Sequence, residues 1–144
     1  MDKKPLATIR KFKTEDINEI LEVEEQAFPK TAYPKEIFLN YATSFPDTFI
    51  VIETGNDIIG YIIFDRGGHI HSTAVKCSYR RKDFGKMLFM HAVECVGKKL
   101  WLEVRSKNSR AIAFYQSLGM KITGKIPNYY WSDDALIMEM SQKE

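Results

Sequence analysis

Residues 69–86 read HIHSTAVKCSYRRKDFGK and hold the transition that decides the fold. Residues 69–76 follow a Gly-Gly turn and have the composition of a strand. From Gly85 onward, apolar residues recur at helical spacing, which predicts a helix over residues 85–98. Between strand and helix, four cations fall within seven positions: Arg80, Arg81, Lys82 and Lys86.

The basic turn is a candidate site for an anionic ligand, most directly a diphosphate. The first turn of a helix leaves backbone N–H groups without intrahelical partners, and the helix dipole makes that end positive. Neighbouring cations strengthen both effects. A solvated basic turn is the plain alternative. Nucleic acid is a poorer candidate ligand, because the net charge of the 144 residues is only +2 and no wider basic surface is indicated.

The flanking sequence shows further helical and strand periods. Upstream, the patterns predict a strand over residues 6–12, helices from Thr14 or Asp16 to residue 28 and over 36–43, and strands over 48–53 and 58–64. Downstream, they predict a strand over residues 100–104, a helix over 110–118, and strands over 120–126 and 135–140. Hairpin-like links between the early strands and single helices between later ones predict an α/β (α+β) fold. We expect one domain, residues 1–144, with a mixed, mostly antiparallel sheet of about seven strands flanked by four helices.

The composition is that of a folded protein, with 44% hydrophobic and 28% charged residues. Cys77 and Cys95 have no CxxC spacing and no nearby pair of histidines, so we expect neither a metal site nor a disulfide framework. Cys95 falls within an apolar helical pattern and is expected to be buried. The first residues lack the apolar run of a secretory signal, and no stretch has the length of a membrane span. These features predict a cytoplasmic protein with no membrane partner.

The basic turn is similar to a motif of the GNAT superfamily of acetyltransferases, R/Q-x-x-G-x-G/A, whose backbone amides wrap the pyrophosphate of acetyl-CoA. The match here is Arg80-x-x-Asp83-x-Gly85. It implies that acetyl-CoA is bound by Arg80, Arg81, Lys82, Asp83, Phe84, Gly85 and Lys86. Asp83 stands where the motif has its first glycine. Because a carboxylate repels a pyrophosphate and a side chain limits close backbone approach, we expect weakened but not abolished binding.

The second half of the chain carries a more specific resemblance. Residues 100–120, LWLEVRSKNSRAIAFYQSLGM, are similar to the L-x-L-E-V-R-x-x-N and A-I-x-x-Y-x-x-L-G-F signatures of RimI-type and archaeal N-terminal acetyltransferases. Further matches to that family are NYY at 128–130, DALIM at 134–138, AFP at 27–29 and YP at 33–34. The resemblance covers nearly the whole chain in order. It implies a GNAT-like domain that moves an acetyl group from acetyl-CoA to an amine, foremost the N-terminal α-amine of a protein, with ribosomal proteins among the candidate acceptors.

The resemblance also implies which residues carry the chemistry. Glu103 is the base that takes the proton of the amine, directly or through water. Tyr115 is the acid that protonates the leaving thiolate. From the residues alone, a plain outward-facing carboxylate is the commoner role for Glu103, since Leu102 and Val104 point to the other face of the strand. Tyr115 likewise reads as a core aromatic with its hydroxyl at the rim.

The pantetheine arm of the cofactor has its own expected partners. By resemblance, the backbone of Thr73, Ala74 and Val75 pairs with this arm, and the N–H of Val75 polarises the thioester carbonyl. Asn108 is expected to hydrogen-bond the same arm. A helix cap is the plain alternative for Asn108.

A third set of residues is expected to contact the acceptor: Phe28, Tyr33, His71, Tyr129 and Tyr130. Tyrosine hydroxyls in loops are suited to holding a peptide backbone, although loop tyrosines are also common as packing aromatics. His69 and His71 lie on one face of the predicted strand, and either is a candidate second base. We favour His71 of the two, while a purely structural histidine is the commoner case.

Two alternatives remain open at the level of sequence. The first keeps acetyl transfer but changes the acceptor to a lysine side chain or a polyamine. Because the unperturbed pKa of lysine is about 10.4, its amine is more fully protonated at neutral pH and requires a more effective base. The second is a non-catalytic module for acetyl-CoA or peptide, which Asp83 favours and the set of Glu103, Asn108 and Tyr115 opposes. Direct attack requires no metal and no covalent intermediate, so both cysteines are expected to be dispensable. The protein is expected to act as a monomer or a homodimer.

Overall fold

A computed structural model describes residues 6–97 and 99–140, and four of its strands pair in chain order as an antiparallel sheet. These strands are β1 (Ala7–Lys11), β2 (Phe49–Thr54), β3 (Asp57–Phe64) and β4 (Ile70–Val75). β2 and β3 are long apolar runs, buried on both faces, so they occupy the centre of this sheet. β4 is therefore an edge strand of the sheet, and its free edge becomes important for the site.

Three further strands form a second antiparallel sheet in the order β5-β7-β6. They are β5 (Leu100–Arg105), β6 (Lys121–Ile126) and β7 (Ala135–Met140). The predicted α/β class with seven strands is confirmed, but the expected single mixed sheet is replaced by two antiparallel sheets. They meet at one parallel bridge between His69 and Trp101, where the Trp101 N–H donates to the Gly68 carbonyl at 2.9 Å.

The described part of the chain contains four α-helices, as predicted. They are α1 (Ile17–Ala27), α2 (Lys35–Ser44), α3 (Phe84–Val96) and α4 (Ser109–Ser117), with short 3-10 turns at Thr14–Asp16 and Cys77–Tyr79. Two core clusters lie on opposite faces of the β-structure, and different helices contribute to each. One contains Leu88 of α3 and Leu102 of β5, and the other contains Ile20 of α1 and Phe38 of α2. Helices therefore lie on both faces of the β-structure.

An irregularity in β4 controls which side chains face α1 and α2. Ser72 pairs with Ile63 and Ile70 pairs with Phe64, so His71 is an extra residue without a ladder partner. In a β-bulge of this kind, consecutive side chains are re-aimed and the local twist increases. The His71 ring stacks on Phe45 with a centroid distance of 4.7 Å, and Ser72 Oγ lies 2.8 Å from the hydroxyl of Tyr61. Both side chains thus face the α1–α2 layer.

The expectation that Cys95 is buried is wrong. The residue is exposed on α3, and its Sγ lies 3.4 Å from Nε2 of His91, one turn earlier. The helix buries Leu88, Ala92 and Val93, and this face turns position 95 toward solvent. Within residues 6–97 and 99–140, no helix is both long and apolar enough to cross a bilayer.

Candidate active site

A gap opens between β4 and β5 beyond the bridge at His69 and Trp101. The described residues of these two strands form no further ladder, so the two sheets separate from this point. The Lys76 N–H donates to the carbonyl of Ile59 in β3 at 2.8 Å. Because alternate residues of an antiparallel strand use opposite edges, the N–H groups of Val75 and Thr73 point the other way, toward the gap. An open strand edge of this kind is suited to an extended ligand.

The predicted Ala74 lies between these two edge-directed residues. It pairs with Tyr61 of β3 and its side chain is buried in the cluster that contains Ile20 and Phe38. Thr73 uses its hydroxyl to donate to the carbonyl of Tyr61 at 2.9 Å. The side chains of Thr73 and Ala74 are therefore committed to the protein, and of the two residues only Thr73 directs its backbone N–H toward the gap.

At the end of β4 the chain makes a tight basic turn. Arg81 and Asp83 both have left-handed backbone conformations, with φ of 63° and 69°. Asp83 immediately precedes α3, and its carbonyl accepts from the Met87 N–H at 2.9 Å. Aspartate is one of the few residues besides glycine that visits this region often. Asp83 therefore adopts a left-handed conformation that suits glycine, and the first N–H groups of α3 remain directed into the turn.

Phe114 of α4 lies against the first turn of α3. A Cβ placed on Gly85 would lie 3.1 Å from Cζ of Phe114, so the glycine allows close packing of α3 and α4. Asn108 caps α4 through Oδ1, which accepts from the Ala111 N–H at 3.2 Å. Asn108 therefore acts as a helix cap, which was its plain alternative role. Its side-chain oxygen is used in the cap, so only its amide nitrogen is left to contact a ligand. The Lys82 ammonium lies 5.7 Å from the centroid of the Tyr79 ring.

Tyr115 projects from α4 into the core cluster of α3 and β5. Burial, with a smaller electrostatic contribution from Tyr130, raises the pKa of its phenol to about 12. With this pKa, Tyr115 carries its phenolic proton at neutral pH, as a proton donor must. Tyr115 thus packs against the core, as predicted, and keeps the proton that the role of acid requires.

Glu103 faces away from the buried Leu102 and Val104, as the strand alternation predicts. Its Oε1 lies 2.7 Å from Nε2 of His69, and the His69 ring stacks on Trp101 with centroids 3.9 Å apart and planes 9° apart. The structure thus pairs Glu103 with His69, whereas the sequence favoured His71 as a second base, and that role of His71 stays a prediction. The bulge directs His71 to Asp65 instead, with Nε2 3.0 Å from Oδ2.

Asp65 organises the turn that precedes β4. Its Oδ1 accepts from the backbone N–H groups of Gly67 and His69, at 2.9 and 3.2 Å. Partial burial opposes ionisation of Asp65, but the hydrogen bonds from His71 and from these N–H groups outweigh it, and the pKa of the carboxyl is lowered. His69 and His71 are consequently held side by side, with ring centroids 4.3 Å apart.

Three of the predicted acceptor residues, Tyr33, Tyr129 and Tyr130, lie in one neighbourhood with Glu103 and Arg105. The Arg105 guanidinium lies 4.2 Å from the centroid of the Tyr130 ring, and the rings of Tyr129 and Tyr130 meet edge to face at 4.8 Å. Burial, followed by the charge of Glu103, raises the pKa of Tyr130 to about 12. Burial also raises the pKa of Tyr33, with smaller contributions from charges that include Glu103. The tyrosines therefore form one polar, aromatic wall beside the carboxylate.

The remaining predicted acceptor residues, Phe28 and His71, contact other parts of the protein. Phe28 packs against the core cluster that contains Phe38, on the same side of the sheet as Tyr33. His71 lies between Asp65 and the rings of Phe45 and Tyr41. The predicted contacts of Phe28 and His71 with an acceptor stay predictions.

A buried carboxylate that the sequence interpretation missed supports this wall. Glu24 is 1% exposed, accepts from the Tyr61 hydroxyl, and accepts from the Tyr33 N–H at 3.0 Å. Burial raises its pKa. These contacts tie the segment of Tyr33 to α1 and β3. A sequence signal existed, because Glu24 falls on the face of α1 that carries Ile20 and Val23. Trp101 and Arg105 were also missed, although strand alternation places them on the face of Glu103.

Comparisons with known proteins agree with this geometry. Residues 14–120 match the model of the acetyltransferase (GNAT) family. A putative [ribosomal protein bS18]-alanine N-acetyltransferase of Bacillus subtilis is 34% identical, covering 98% of this chain and 99% of the relative. An N-alpha-acetyltransferase of Sulfurisphaera tokodaii is 28% identical over 90% of both chains. Among solved structures, Ard1 from Thermoplasma volcanium superposes with a TM-score of 0.83 at 29% identity, covering 96% of this chain and 99% of that one.

Proposed function

This chain belongs to the acetyltransferase (GNAT) family, and we propose that its acceptor is the N-terminal α-amine of a protein or peptide. The family assignment makes it an acetyl-CoA-dependent N-acetyltransferase. The observation that carries the proposed acceptor is the pair of Glu103 and His69 at the mouth of the β4–β5 gap, flanked by Tyr33, Tyr129 and Tyr130. A carboxylate set among neutral phenols offers a proton acceptor beside hydrogen-bonding groups for a peptide backbone.

In this proposal, the pantetheine arm of acetyl-CoA binds along the open edge of β4, and the pyrophosphate binds in the basic turn. The pyrophosphate lies against the first N–H groups of α3 and the cations of residues 80–86. The pantetheine arm hydrogen-bonds the gap-directed backbone of Thr73 and Val75, and Asn108 contributes its amide nitrogen. The N–H of Val75 then polarises the thioester carbonyl.

Transfer proceeds by direct attack on the thioester. The neutral amine nitrogen forms a bond to the acetyl carbonyl carbon, and the carbon–sulfur bond breaks as the tetrahedral centre collapses. Glu103 accepts the proton that the amine loses, directly or through water, and His69 holds the carboxylate in place. Tyr115 supplies a proton to the departing thiolate of CoA. An α-amine, with a pKa near about 8, is partly neutral already, so a carboxylate base suffices.

The acceptor class is tested by a panel of substrates. Purified protein is incubated with acetyl-CoA and short peptides that have free N-termini, with N-blocked peptides that contain lysine, and with a polyamine. CoA release gives the rate, and fragmentation mass spectrometry locates the acetyl group. Turnover confined to free N-termini supports the proposal. Preference for lysine or the polyamine would reassign the acceptor, and binding of acetyl-CoA without any turnover would favour the non-catalytic module.

Asp83→Gly is expected to strengthen acetyl-CoA binding and to stabilise the fold. A non-glycine residue at φ 69° carries a backbone cost, so glycine should add about 0.5–1 kcal/mol to the free energy of unfolding. Removal of the carboxylate should also reduce repulsion of the pyrophosphate. Urea denaturation and titration calorimetry with acetyl-CoA measure the two effects.

Asp83→Ala serves as the matched control for the charge. It removes the carboxylate but keeps a side chain in the left-handed conformation, so it should gain affinity without gaining stability. Weaker acetyl-CoA binding in both variants would show that the Asp83 side chain supports the turn instead of opposing the ligand.

Tyr115 is expected to remain protonated throughout the physiological range and well above it. Its pKa in the folded protein is about 12, above the unperturbed value near about 10, so the neutral phenol stabilises the fold below pH 10. That contribution is lost as the pH rises through about 12. We expect a profile of kcat against pH without an inflection near pH 10, and a Tyr115→Phe variant with lower kcat and an unchanged profile shape. An alkaline inflection near pH 10 that disappears in Tyr115→Phe would contradict the assignment.

We place the activity in the cytoplasm. Both cysteines are free thiols in the described structure, as in a reducing compartment. Acceptors of this class include the N-termini of ribosomal proteins, which the name of the Bacillus subtilis relative also specifies.

A further inference from the structure

Three potential metal ligands converge beside the candidate base. One ligand atom from each of Asp65, His69 and His71 lies within 4.8 Å of the other two. We propose that this cluster binds Zn²⁺, and that the bound ion inhibits acetyl transfer. The metal site itself stands on the geometry of these residues alone, whereas the inhibition rests on the proposed role of Glu103.

The donor set has the chemistry that zinc prefers. Two imidazoles and one carboxylate supply nitrogen and oxygen ligands, and three protein ligands leave one position open. Tetrahedral zinc with bonds of about 2.0–2.2 Å holds its ligand atoms about 3.3 Å apart. Asp65 Oδ2 and His71 Nε2 are 3.0 Å apart, so this half of the site is already formed. His69 must move by up to about 1.5 Å, because the ligand atoms of the cluster lie within 4.8 Å of one another and the tetrahedral spacing is about 3.3 Å. Calcium and magnesium, which take oxygen ligands, do not suit the pair of imidazoles.

The fold holds these side chains in place before any ion arrives. His69 and His71 lie side by side on one sheet face, with ring centroids 4.3 Å apart, and the backbone N–H groups of Gly67 and His69 fix Asp65. Stacking on Phe45 orients His71, and stacking on Trp101 orients His69. The side chains of both histidines are 20% exposed and that of Asp65 is 31% exposed. The cluster is therefore ordered yet open to an ion from solvent, which is the arrangement that metal sites use.

Zinc at this cluster would disable Glu103 through either nitrogen of His69. Coordination through Nε2 removes the contact between His69 and Glu103 Oε1. Coordination through Nδ1 instead keeps Nε2 as a fixed N–H donor to that oxygen and adds a divalent charge nearby. Both arrangements place a divalent cation beside the carboxylate, where it competes with the acceptor amine for that group.

The test measures zinc binding first, in the full chain and without acetyl-CoA or peptide. Titration calorimetry with ZnSO₄ is run on the His91→Ala/Cys95→Ser variant, because His91 and Cys95 form a separate nitrogen–sulfur pair 3.4 Å apart on α3. We expect one zinc ion per chain to remain bound in this variant. Loss of zinc binding there would overturn the site, as would equal affinity for Mg²⁺ or Ca²⁺.

Two substitutions then locate the ion. Asp65→Asn keeps an oxygen for the Gly67 and His69 N–H groups but removes the carboxylate ligand, so the turn should survive. His71→Ala removes an imidazole. Each is expected to weaken zinc binding by at least about tenfold. Unchanged affinity in Asp65→Asn and His71→Ala would overturn the site. Trp131→Phe leaves Trp101 as the remaining tryptophan of two, and its emission should change with zinc because its ring lies 3.9 Å from that of His69.

Activity is measured last. Zinc should inhibit the wild-type enzyme, EDTA should reverse the inhibition, and the zinc concentration required should rise in Asp65→Asn by the factor seen in calorimetry. Zinc that binds as described without slowing turnover would overturn the inhibition. A protein that shows no acetyl transfer at all would overturn the proposed function and leave the binding result intact.

Discussion

Glu103→Gln is expected to lower kcat by about 10²- to 10⁴-fold, which is the range that general acid–base catalysis contributes. The amide keeps the size of the side chain and can still contact Nε2 of His69, but it cannot take the proton from the amine. Steady-state kinetics with a peptide that has a free N-terminus measures the loss. Acetyl-CoA affinity should be unchanged, because the basic turn and the edge of β4 are untouched.

Glu139→Gln provides the matched control for this substitution. Glu139 pairs with Trp101 in the neighbouring strand, so its side chain shares the sheet face of Glu103, and it bonds Lys99 at 2.8 Å. Its replacement should leave kcat within about twofold of wild type. A Glu103→Gln enzyme that retains more than a tenth of the wild-type kcat would remove Glu103 from the role of base.

Gly68→Ala is expected to destabilise the fold by at least about 3 kcal/mol and to abolish activity with it. Gly68 has φ of 97°, and a Cβ on it would lie 1.9 Å from the backbone carbonyl oxygen of Lys99. The same residue supplies the carbonyl that accepts from Trp101, so the clash falls on the junction of the two sheets. Relief of the clash requires β4 and β5 to move apart, which separates His69 from Glu103.

Gly55→Ala separates the backbone effect from the clash. Gly55 also has a left-handed conformation, with φ of 60°, but a Cβ there meets nothing within 4 Å. Its replacement should cost only about 1 kcal/mol. Urea denaturation of both variants gives the comparison. Equal midpoints for Gly68→Ala and Gly55→Ala would mean that the junction between the sheets adjusts freely.

Most elements of the fold could be predicted because each has a clear local period or a boundary residue. The apolar spacing after residue 85 predicts α3 within two residues of its observed ends, Phe84–Val96. Gly97 ends the helix in a left-handed conformation, as glycine commonly does. The period-2 pattern of β5 likewise places Glu103 opposite to Leu102 and Val104.

Local periods carry no information about contacts between distant segments. The expected single sheet is two sheets, because β5 pairs with β7 and meets β4 only at one bridge. The burial of Cys95 was wrongly predicted because apolar composition does not say which face of α3 the neighbouring sheet covers. The compatible conformation of Asp83 is also invisible to a motif comparison, which records only that a glycine is missing.

By itself, the sequence determined the class of the fold, the basic turn before α3 and the position of Glu103 on the polar face of its strand. Motif resemblance added the family. Only the tertiary structure decided that His69, and not His71, meets Glu103 across 34 positions of the chain. The physical reason is the bulge at His71 together with the bridge between the sheets: the first turns one histidine toward Asp65, and the second brings the other against β5.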